Sequence, residues 1–191
     1  MKKTVKLLRV CGSKVVDADL LDLSPKHLAD FETFWKPRLQ SSSEEDSHWN
    51  WVNKYLKSAT PNYERYALEC ENITQGLILL ELDCYRSRCE SGRSLVYVDF
   101  LATAPWNRCS IQNPPSYKGV GMALVTYAVK RSFDLGYKGR LGLHALPLAE
   151  AFYAKLGMVD FGLDAGKENL KYFELPSDKA EEFIRRLNSQ I

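Results

Sequence analysis

The chain has 191 residues, of which 45% are hydrophobic and 26% are charged, and its formal net charge is +2. This length supports one well-buried core and is short for two. The near-neutral charge argues against a nucleic-acid partner, which usually requires a marked basic excess, and the 12% aromatic content argues against disorder.

Cysteine and histidine usage indicates the redox environment and bears on metal binding. The five cysteines form no Cys-x-x-Cys pair, and His27, His48 and His144 do not stand at ligand spacing from a cysteine. The pattern predicts reduced thiols in a cytoplasmic protein and no metal site. Lys6 and Arg9 interrupt the N-terminal apolar run, so we expect no signal peptide. Because no stretch reaches the roughly 18–20 apolar residues of a membrane span, we expect no membrane partner.

Apolar periodicity predicts the elements in chain order. Ser24 and Pro25 begin a helix, which Pro37 should end near Trp35. The other predicted elements are strands over 4–10, 15–23, 63–70, 76–85, 95–104, 140–145, 158–163 and 170–175, and helices over 48–58, 120–135, 147–156 and 177–188. Early helices, an antiparallel meander and a final alternation of strands and helices predict an α/β domain with a mixed sheet.

The run from Leu95 to Gly121 is the first candidate site. It contains an apolar strand, a polar loop, and then Lys118-Gly119-Val120-Gly121 at the start of a long helix. Glycine lets a backbone approach its ligand closely, and the N–H groups and dipole of a helix start favour an anion. The pattern predicts a phosphate or pyrophosphate bound by backbone amides, with a simple tight turn as the alternative. Leu124 stands where a dinucleotide fingerprint needs glycine, and no P-loop is present.

A second candidate stretch, Ala149–Met158, follows one strand and one helix downstream. Over roughly residues 94–175 the two stretches together resemble the GNAT superfamily of acyl-CoA-dependent N-acyltransferases. The family's Leu-x-Val-x-Pro strand end is similar to Leu101–Pro105, and its Gln/Arg-x-x-Gly-x-Gly/Ala turn is similar to Ser116–Gly121. Its Ala-x-x-x-Tyr-x-x-x-Gly-Phe pattern is matched by Ala149, Tyr153 and Gly157, with Met158 in place of Phe.

Three positions depart from the family pattern. Ser116 replaces the preferred Gln or Arg, the insertion Trp106–Pro115 lengthens the loop, and Leu146 replaces a frequent asparagine. The first two change the geometry of the loop, and the third removes one ligand contact of the family.

The resemblance implies a single N-acetyltransferase-like domain over residues 1–191, with a mixed central sheet of about six or seven strands flanked by helices. Residues 1–93 would provide the acceptor side, 94–175 the acyl-CoA-binding core and 176–191 a terminal helix. The early position of Trp49 and Trp51 makes an aromatic acceptor pocket one interpretation of those residues, and core packing the other.

The resemblance also implies how acetyl-CoA would bind. The backbone of Leu101, Ala102 and Thr103 would pair with the pantetheine arm as an added strand does. The pyrophosphate would lie on the amides of Lys118, Gly119, Val120, Gly121, Met122 and Ala123. The side chain of Lys118 or Arg108 would add positive charge there.

For catalysis, the resemblance implies that Tyr153 protonates the departing thiolate. The amine must lose a proton to react, because an ammonium has no lone pair. We expect Asp99 as the base, with His144 next, and Glu81 and Asp83 are further strand acids. The alternatives are a base that acts through water, or capture of an already neutral amine without a base. The expected reaction is transfer of an acetyl group to a primary amine of a small molecule or peptide. The alternative is a non-catalytic CoA- or nucleotide-binding module; the acceptor and the oligomeric state stay open.

Overall fold

A computed structural model of the chain describes residues 2–189. Its strands are β1 (Lys2–Arg9), β2 (Lys14–Asp22), β3 (Tyr63–Cys70), β4 (Ile73–Glu81), β5 (Val96–Thr103), β6 (Tyr117–Lys118), β7 (Leu141–Ala145), β8 (Val159–Asp164) and β9 (Leu170–Leu175). Its α-helices are α1 (Pro25–Asp30), α2 (Lys36–Gln40), α3 (Trp51–Lys57), α4 (Val120–Asp134), α5 (Glu150–Lys155) and α6 (Ser177–Asn188). The last two positions of the expected terminal helix, 190 and 191, lie outside the described residues.

The strands form one mixed sheet in the order β6-β1-β2-β3-β4-β5-β7-β9-β8. β5 and β7 pair in parallel, whereas β7 and β9 pair antiparallel. The expected α/β architecture is confirmed, but within residues 2–189 the sheet has nine strands instead of about six or seven. One reason is β6, which has only two residues and pairs with β1 opposite Leu8 and Arg9. A strand of that length is too short to show a period of two in the sequence.

The chain divides into two compact units. Unit 1 contains the residues up to Leu79 together with Phe100–Val125, and unit 2 contains Leu80–Asp99 together with the residues from Thr126 onward. Unit 1 has a hydrophobic core built from the early helices, strand residues and the insertion; its buried members are Leu23, Leu28, Phe31, Trp35, Leu39, Trp51, Ala67, Leu77, Leu79, Ala102, Ala104 and Trp106.

The first helical region of unit 1 continues past Pro37, so the prediction that Pro37 ends it is wrong. A π-helical turn, Phe31–Trp35, follows α1, and in it the N–H of Lys36 donates to the carbonyl of Phe31. α2 then begins at Lys36, which places Pro37 in a first turn. The proline is tolerated inside this helical run because the π-helical turn before it changes the hydrogen-bond pattern in which its missing N–H would have taken part.

α3 begins later than its apolar pattern predicts, at Trp51. The side chain of Asn50 caps it by accepting a hydrogen bond of 2.8 Å from the N–H of Asn53. Such a cap satisfies one of the amides that a helix start leaves without a partner. His48 and Trp49 therefore belong to the preceding loop.

In unit 2, a buried carboxylate fixes the loop between β4 and β5. Glu174 on β9 accepts hydrogen bonds from the N–H of Arg88 (2.7 Å), the N–H of Cys89 (3.1 Å) and the Tyr172 hydroxyl (3.1 Å), and also from the Ser87 hydroxyl. Four donors compensate the desolvation of a charge with no exposed surface. The loop is thereby held against β9.

Candidate functional site

The glycine turn of unit 1 leads from β6 into α4. Gly119 has φ +94°, a left-handed conformation that favours glycine. A Cβ at Gly119 would meet only the Leu7 Cδ2 atom, at 3.9 Å, so the requirement for glycine there is conformational and no side chain fills the space. Lys118 and Gly119 are both exposed.

The first turn of α4 presents three amides. The N–H of Ala123 donates to the carbonyl of Gly119 at 2.8 Å, which is the first hydrogen bond of the helix. The amides of Val120, Gly121 and Met122 precede it and have no acceptor within the helix. These three amides are the ones that the helix leaves without a carbonyl partner, whereas the Ala123 amide, expected to join them at the pyrophosphate, donates within the helix.

The strand segment Leu101–Thr103 and the start of α4 converge on Gly76 of β4. A Cβ at Gly76 would lie 2.9 Å from Leu124 Cδ1, 2.9 Å from Val120 Cγ1 and 3.5 Å from the carbonyl oxygen of Ala102. Only a residue without a side chain lets the helix approach the sheet this closely. The two segments expected to bind one cofactor are therefore neighbours within unit 1.

β5 extends beyond its pairing with β7. The paired residues are Val96 with Leu141, Tyr97 with Gly142 and Val98 with Leu143. Leu101–Thr103 lies past the last of these pairs. A backbone segment beyond its parallel neighbour is the kind of strand to which an extended ligand can add.

The side chain of Arg108 donates two hydrogen bonds to the carbonyl of Thr103. Its Nε and Nη2 atoms donate to that oxygen at 2.9 and 2.8 Å. The same guanidinium binds Asp46 at 2.7 Å and Glu44 at 2.8 Å. Burial alone would lower the pKa of Arg108, but hydrogen bonds to Asp46 and Glu44 raise it. The expectation that Arg108 supplies charge to a phosphate is wrong, because both of its carboxylate partners lie within the fold.

The insertion Trp106–Pro115 is part of the core of unit 1. The Trp106 indole N–H donates to Gln75 Oε1 at 2.8 Å, and the Ser116 N–H donates to the Trp106 carbonyl at 2.8 Å. A cavity of about 600 Å³ opens beside Ser116 and Tyr117, and none of the nine expected cofactor-binding residues lines it. The extra residues are therefore packed against the rest of unit 1 immediately before the glycine turn.

The tryptophans lie mainly in the core. Trp35 and Trp51 have no exposed surface, and Trp106 is buried. Core packing is therefore the role of Trp51. Trp49 is half-buried, and its ring centroid lies 5.0 Å from that of Phe100.

In unit 2, His144 forms a chain of hydrogen bonds with two residues distant in sequence. Its Nδ1 lies 2.7 Å from the Tyr97 hydroxyl, and its Nε2 lies 3.2 Å from Asp164 Oδ2. Hydrogen bonds from Arg88 and His144 lower the pKa of Asp164 to about 2, so that side chain is an acceptor only. Nε2 must then carry the hydrogen. In the neutral ring Nδ1 accepts from Tyr97.

Burial lowers the pKa of His144, although the hydrogen bond to Asp164 opposes this effect. Burial likewise raises the pKa of the Tyr97 hydroxyl. Both effects favour uncharged forms of the phenol and imidazole at neutral pH. The chain Tyr97–His144–Asp164 therefore connects two buried neutral groups to a carboxylate that is about a quarter exposed.

Asp99 lies in the same unit, near the ammonium of Lys167. A hydrogen bond with Tyr85 is the main effect that raises the pKa of Lys167, and the charges of Asp99 and Glu81 add to it. The Lys167 Nζ lies 5.4 Å from the ring centroid of Tyr85 and 5.6 Å from that of Tyr97. The structure thus brings both expected bases, Asp99 and His144, into the surroundings of Tyr97.

Tyr153 lies on α5 and is buried. Its ring contacts Phe152 and Phe173, with centroid distances of 5.1 and 6.2 Å. Burial raises the pKa of its hydroxyl, which is therefore protonated at neutral pH. A protonated phenol can donate a proton but cannot act as a base.

Comparison with known proteins rests on structure alone. No protein-family model matches the sequence, and no curated protein matches it significantly. The FeeM N-acyl amino acid synthase from uncultured soil microbes superimposes with a TM-score of 0.58 at 14% identity, covering 95% of this chain and 94% of that one. The GNAT domain of S. lividans PAT gives a TM-score of 0.56 at 9% identity, covering 91% and 96%. A point mutant of the AtaT toxin, bound to the C-terminus of the antitoxin AtaR, gives 0.52 at 21% identity, covering 87% and 96%.

This chain has the GNAT fold. At these identities the likeness establishes the architecture, and it confirms the fold implied by the two sequence motifs. Among the segments expected from the GNAT resemblance, unit 1 contains the glycine turn and Leu101–Thr103, and unit 2 contains Asp99, His144 and Tyr153.

Sequence reasoning missed three residues of this GNAT-fold chain: Tyr97, Asp164 and Lys167. They come from different elements, and only the register of β5, β7, β9 and β8 brings the first two to His144. Over residues 2–189, no helix combines the length and apolar character needed to cross a membrane. Within the same part of the chain, no group of three or more His, Cys, Asp or Glu side chains is arranged to hold a metal ion.

Proposed function

We propose that this GNAT-fold chain is an N-acetyltransferase that transfers the acetyl group of acetyl-CoA to a primary amine of a small molecule or peptide. One observation carries the proposal. The carbonyl of Ala102 and the side chains of Val120 and Leu124 converge on Gly76, so the proposed pantetheine strand and the proposed phosphate turn adjoin each other. An extended cofactor with an anionic end requires both features side by side.

The residues present fit such a cofactor. Val120, Gly121 and Met122 offer three amides to a diphosphate, and the exposed Lys118 side chain adds a positive charge next to the open Gly119. Leu101 and Ala102 offer backbone groups to the pantetheine arm. The Thr103 carbonyl is excluded from this pairing, because Arg108 donates to it twice.

When bound, acetyl-CoA would supply a thioester whose carbonyl carbon is the electrophile. In our proposal a backbone N–H near the end of β5 polarises that carbonyl, an interaction whose loss typically costs about 10²–10³ in rate. Tyr153 then gives its hydroxyl proton to the departing sulfur. With reference pKa values of about 10 for a phenol and 8.5 for a thiol, transfer of this proton to a fully formed thiolate is uphill, and burial, which raises the pKa of Tyr153, makes it more so. The proposed step therefore requires that the bound cofactor shift these pKa values towards each other.

The amine must reach the reaction centre without its extra proton. We propose Asp99 as the group that accepts this proton, with His144 as the second candidate. The neutral state of His144 supports its candidacy, because burial lowers its pKa and Asp164 fixes its tautomer. The variants Asp99→Asn and His144→Gln separate the two: the base is the residue whose loss removes the acidic limb of the pH–rate profile.

The test combines binding with turnover. Acetyl-CoA at saturating concentration should raise the melting temperature, and a panel of primary amines should include acceptors that release the CoA thiol. An unchanged melting curve would overturn the proposal. Stabilisation without thiol release across a broad panel would instead favour the non-catalytic CoA-binding module.

A further inference from the structure

The cavity of about 600 Å³ in unit 1, the Arg38 cavity, is lined by parts of the chain that are distant in sequence. The π-helical turn and α2 contribute Phe34 and Arg38, the β3–β4 connection and the start of β4 contribute Glu71 and Ile73, and the insertion contributes Trp106. Its volume falls within the roughly 300–1,000 Å³ of small-molecule pockets. None of the residues proposed to bind acetyl-CoA lines it, so it is a separate candidate site.

Arg38 is the basic side chain at the wall of this cavity. Its guanidinium carbon lies 5.1 Å from the ring centroid of Trp106, and among residues 2–189 no acidic side chain pairs with it. A guanidinium can rest its face on an aromatic ring while its N–H donors, which lie in the plane of the group, stay available. The ring is itself fixed, because the indole N–H donates to Gln75 Oε1 at 2.8 Å. Arg38 therefore offers donors to an anion from a rigid support.

Glu71 is the acidic side chain of the cavity wall, and its charge is compensated. Arg9 pairs with one carboxylate oxygen, and the Tyr117 hydroxyl donates to the other at 2.8 Å. With Arg38 included, two arginines face one carboxylate, which leaves an excess of one positive charge. The local charge therefore favours an anionic ligand over a cationic one.

Two hydroxyl groups at the wall are able to donate as well. Within residues 2–189 the Thr33 hydroxyl has no hydrogen-bond partner. The Ser116 Oγ accepts from Gln112 Nε2 at 3.0 Å and keeps its own hydrogen for another acceptor. The cavity thus combines one cation with two neutral donors.

The remaining wall is apolar. Pro37 and Ile73 line it, and the Phe34 side chain is 43% exposed there. Thr33 and Phe34 belong to the π-helical turn, a local distortion that in proteins frequently marks a functional site. A ligand that matches this cavity therefore carries an apolar body as well as a negative charge.

We propose that the Arg38 cavity binds a small organic acid, whose carboxylate pairs with the Arg38 guanidinium and whose apolar body lies against Phe34 and Ile73. A carboxylate matches the fork of a guanidinium and accepts two hydrogen bonds from it. The acid binds without acetyl-CoA, so this inference goes beyond the proposed function and is tested separately from it.

The test is an NMR titration of the full chain with 3-phenylpropionate, octanoate and indole-3-propionate, without acetyl-CoA. We expect at least one acid to shift the amide signals of Thr33, Phe34 and Ser116 in a saturable way. Its matching alcohol, which keeps the apolar body without the charge, and acetate, which keeps the charge without the body, should each bind about tenfold more weakly or worse. Failure of all three acids to shift these signals would overturn the proposal.

Variants locate the acid. Arg38→Gln should weaken its binding about tenfold or more, whereas Lys36→Gln should change it less than about twofold. Lys36 is the matched control, because it is a cation on the same helix that pairs with Glu32 at 2.6 Å and does not line the cavity. Phe34→Ser should also weaken binding, since it removes an exposed apolar ring and keeps Arg38. Equal affinities of Arg38→Gln and the unaltered chain would overturn the proposal.

The variant Gly121→Glu separates this cavity from the glycine turn. Its added charge should repel a phosphate at the turn and leave the affinity for the acid unchanged, because Gly121 does not line the Arg38 cavity. Loss of acid binding in Gly121→Glu, with retention in Arg38→Gln, would place the acid at the glycine turn and contradict the proposal. An unchanged melting curve with acetyl-CoA would bear on the proposed function alone.

Discussion

The hydroxyl of Tyr97 and the imidazole of His144 share a hydrogen bond of 2.7 Å between β5 and β7. Asp164 holds the opposite side of the ring at 3.2 Å, and Arg88 in turn binds Asp164 at 2.9 Å. A phenol, an imidazole and a carboxylate in this order fix one tautomer and provide a path for a proton from a buried group to a partly exposed one. The arrangement fixes the tautomer of the His144 ring, which a histidine without these two partners would not have fixed.

The variant Tyr97→Phe tests this arrangement. Removing the donor to Nδ1 withdraws an interaction that favours the neutral ring, so the pKa of His144 should rise. We expect the imidazole NMR titration of His144 to move to higher pH and turnover to fall about tenfold with KM little changed. Tyr137→Phe is the control, because the Tyr137 hydroxyl donates to Asp83 and lies outside the chain Tyr97–His144–Asp164. An unchanged His144 titration in Tyr97→Phe would contradict the assigned tautomer.

Two buried histidines should make stability depend on pH. Burial lowers the pKa of both His27 and His144 in the folded chain. Below about pH 6.5 the unfolded chain therefore binds more protons than the folded one, and stability is lost as the pH falls. Each histidine contributes a slope of at most about 1.4 kcal/mol per pH unit.

Urea unfolding at pH 7 and pH 5 measures this effect. We expect the loss of unfolding free energy between the two pH values to be smaller in His144→Gln than in the unaltered chain. The exposed His48 provides the control variant His48→Gln, which should keep the full loss. Equal losses in all three proteins would show that His144 is not held neutral by the fold.

The glycine turn was predictable because its signals are local. Two glycines at a helix start and apolar residues at a period of 3.6 occur within one stretch of sequence, and α4 begins at Val120 as predicted, with Val120, Leu124, Tyr127 and Ala128 buried. The fold could be predicted because the two motifs occur in this chain in the order typical of the GNAT superfamily.

The features that were missed depend on register and packing. Tyr97, His144 and Asp164 meet only once three strand pairings are known, and no local pattern encodes those pairings. Pro37 misled the helix prediction because the π-helical turn before it alters the hydrogen bonds that the proline would have broken. Arg108 was expected to supply charge to a phosphate, but it pairs inside the fold with two acidic residues some sixty positions earlier, which no local pattern indicates.

The variant Gly121→Glu tests the phosphate turn. A glutamate in the first turn of a helix is favourable to the helix dipole, so the fold should be kept, whereas its charge should repel a diphosphate. At a concentration of 100 Kd, acetyl-CoA should stabilise the unaltered chain by about 2.7 kcal/mol, or roughly 5–10 °C in Tm. We expect no shift in Gly121→Glu and a reduced but measurable shift in the uncharged Gly121→Gln. Equal shifts in both variants and the unaltered chain would place the phosphates elsewhere.

Arg108 should be important for stability. Arg108→Met leaves the buried Asp46 and the partly buried Glu44 without their cation and removes two hydrogen bonds from the Thr103 carbonyl. Breaking a buried ion pair in this way typically costs about 3–5 kcal/mol. The surface pair of Lys6 and Asp17, both well exposed, is the matched comparison. Asp17→Asn should cost less than about 1 kcal/mol. Similar urea midpoints for the two variants would contradict the structural role of Arg108.

The variant Tyr153→Phe separates binding from turnover. The variant removes only the hydroxyl group and keeps the ring that contacts Phe152 and Phe173, so the core of unit 2 should be preserved. If Tyr153 protonates the sulfur, turnover should fall about 10²–10⁴-fold while the stabilisation by acetyl-CoA is retained. The loss should shrink for acyl donors whose thiol is a stronger acid, because a better leaving group needs less help from a proton donor. Full activity of Tyr153→Phe with acetyl-CoA would remove Tyr153 from the mechanism, and an equal loss with every donor would assign it a role in positioning instead.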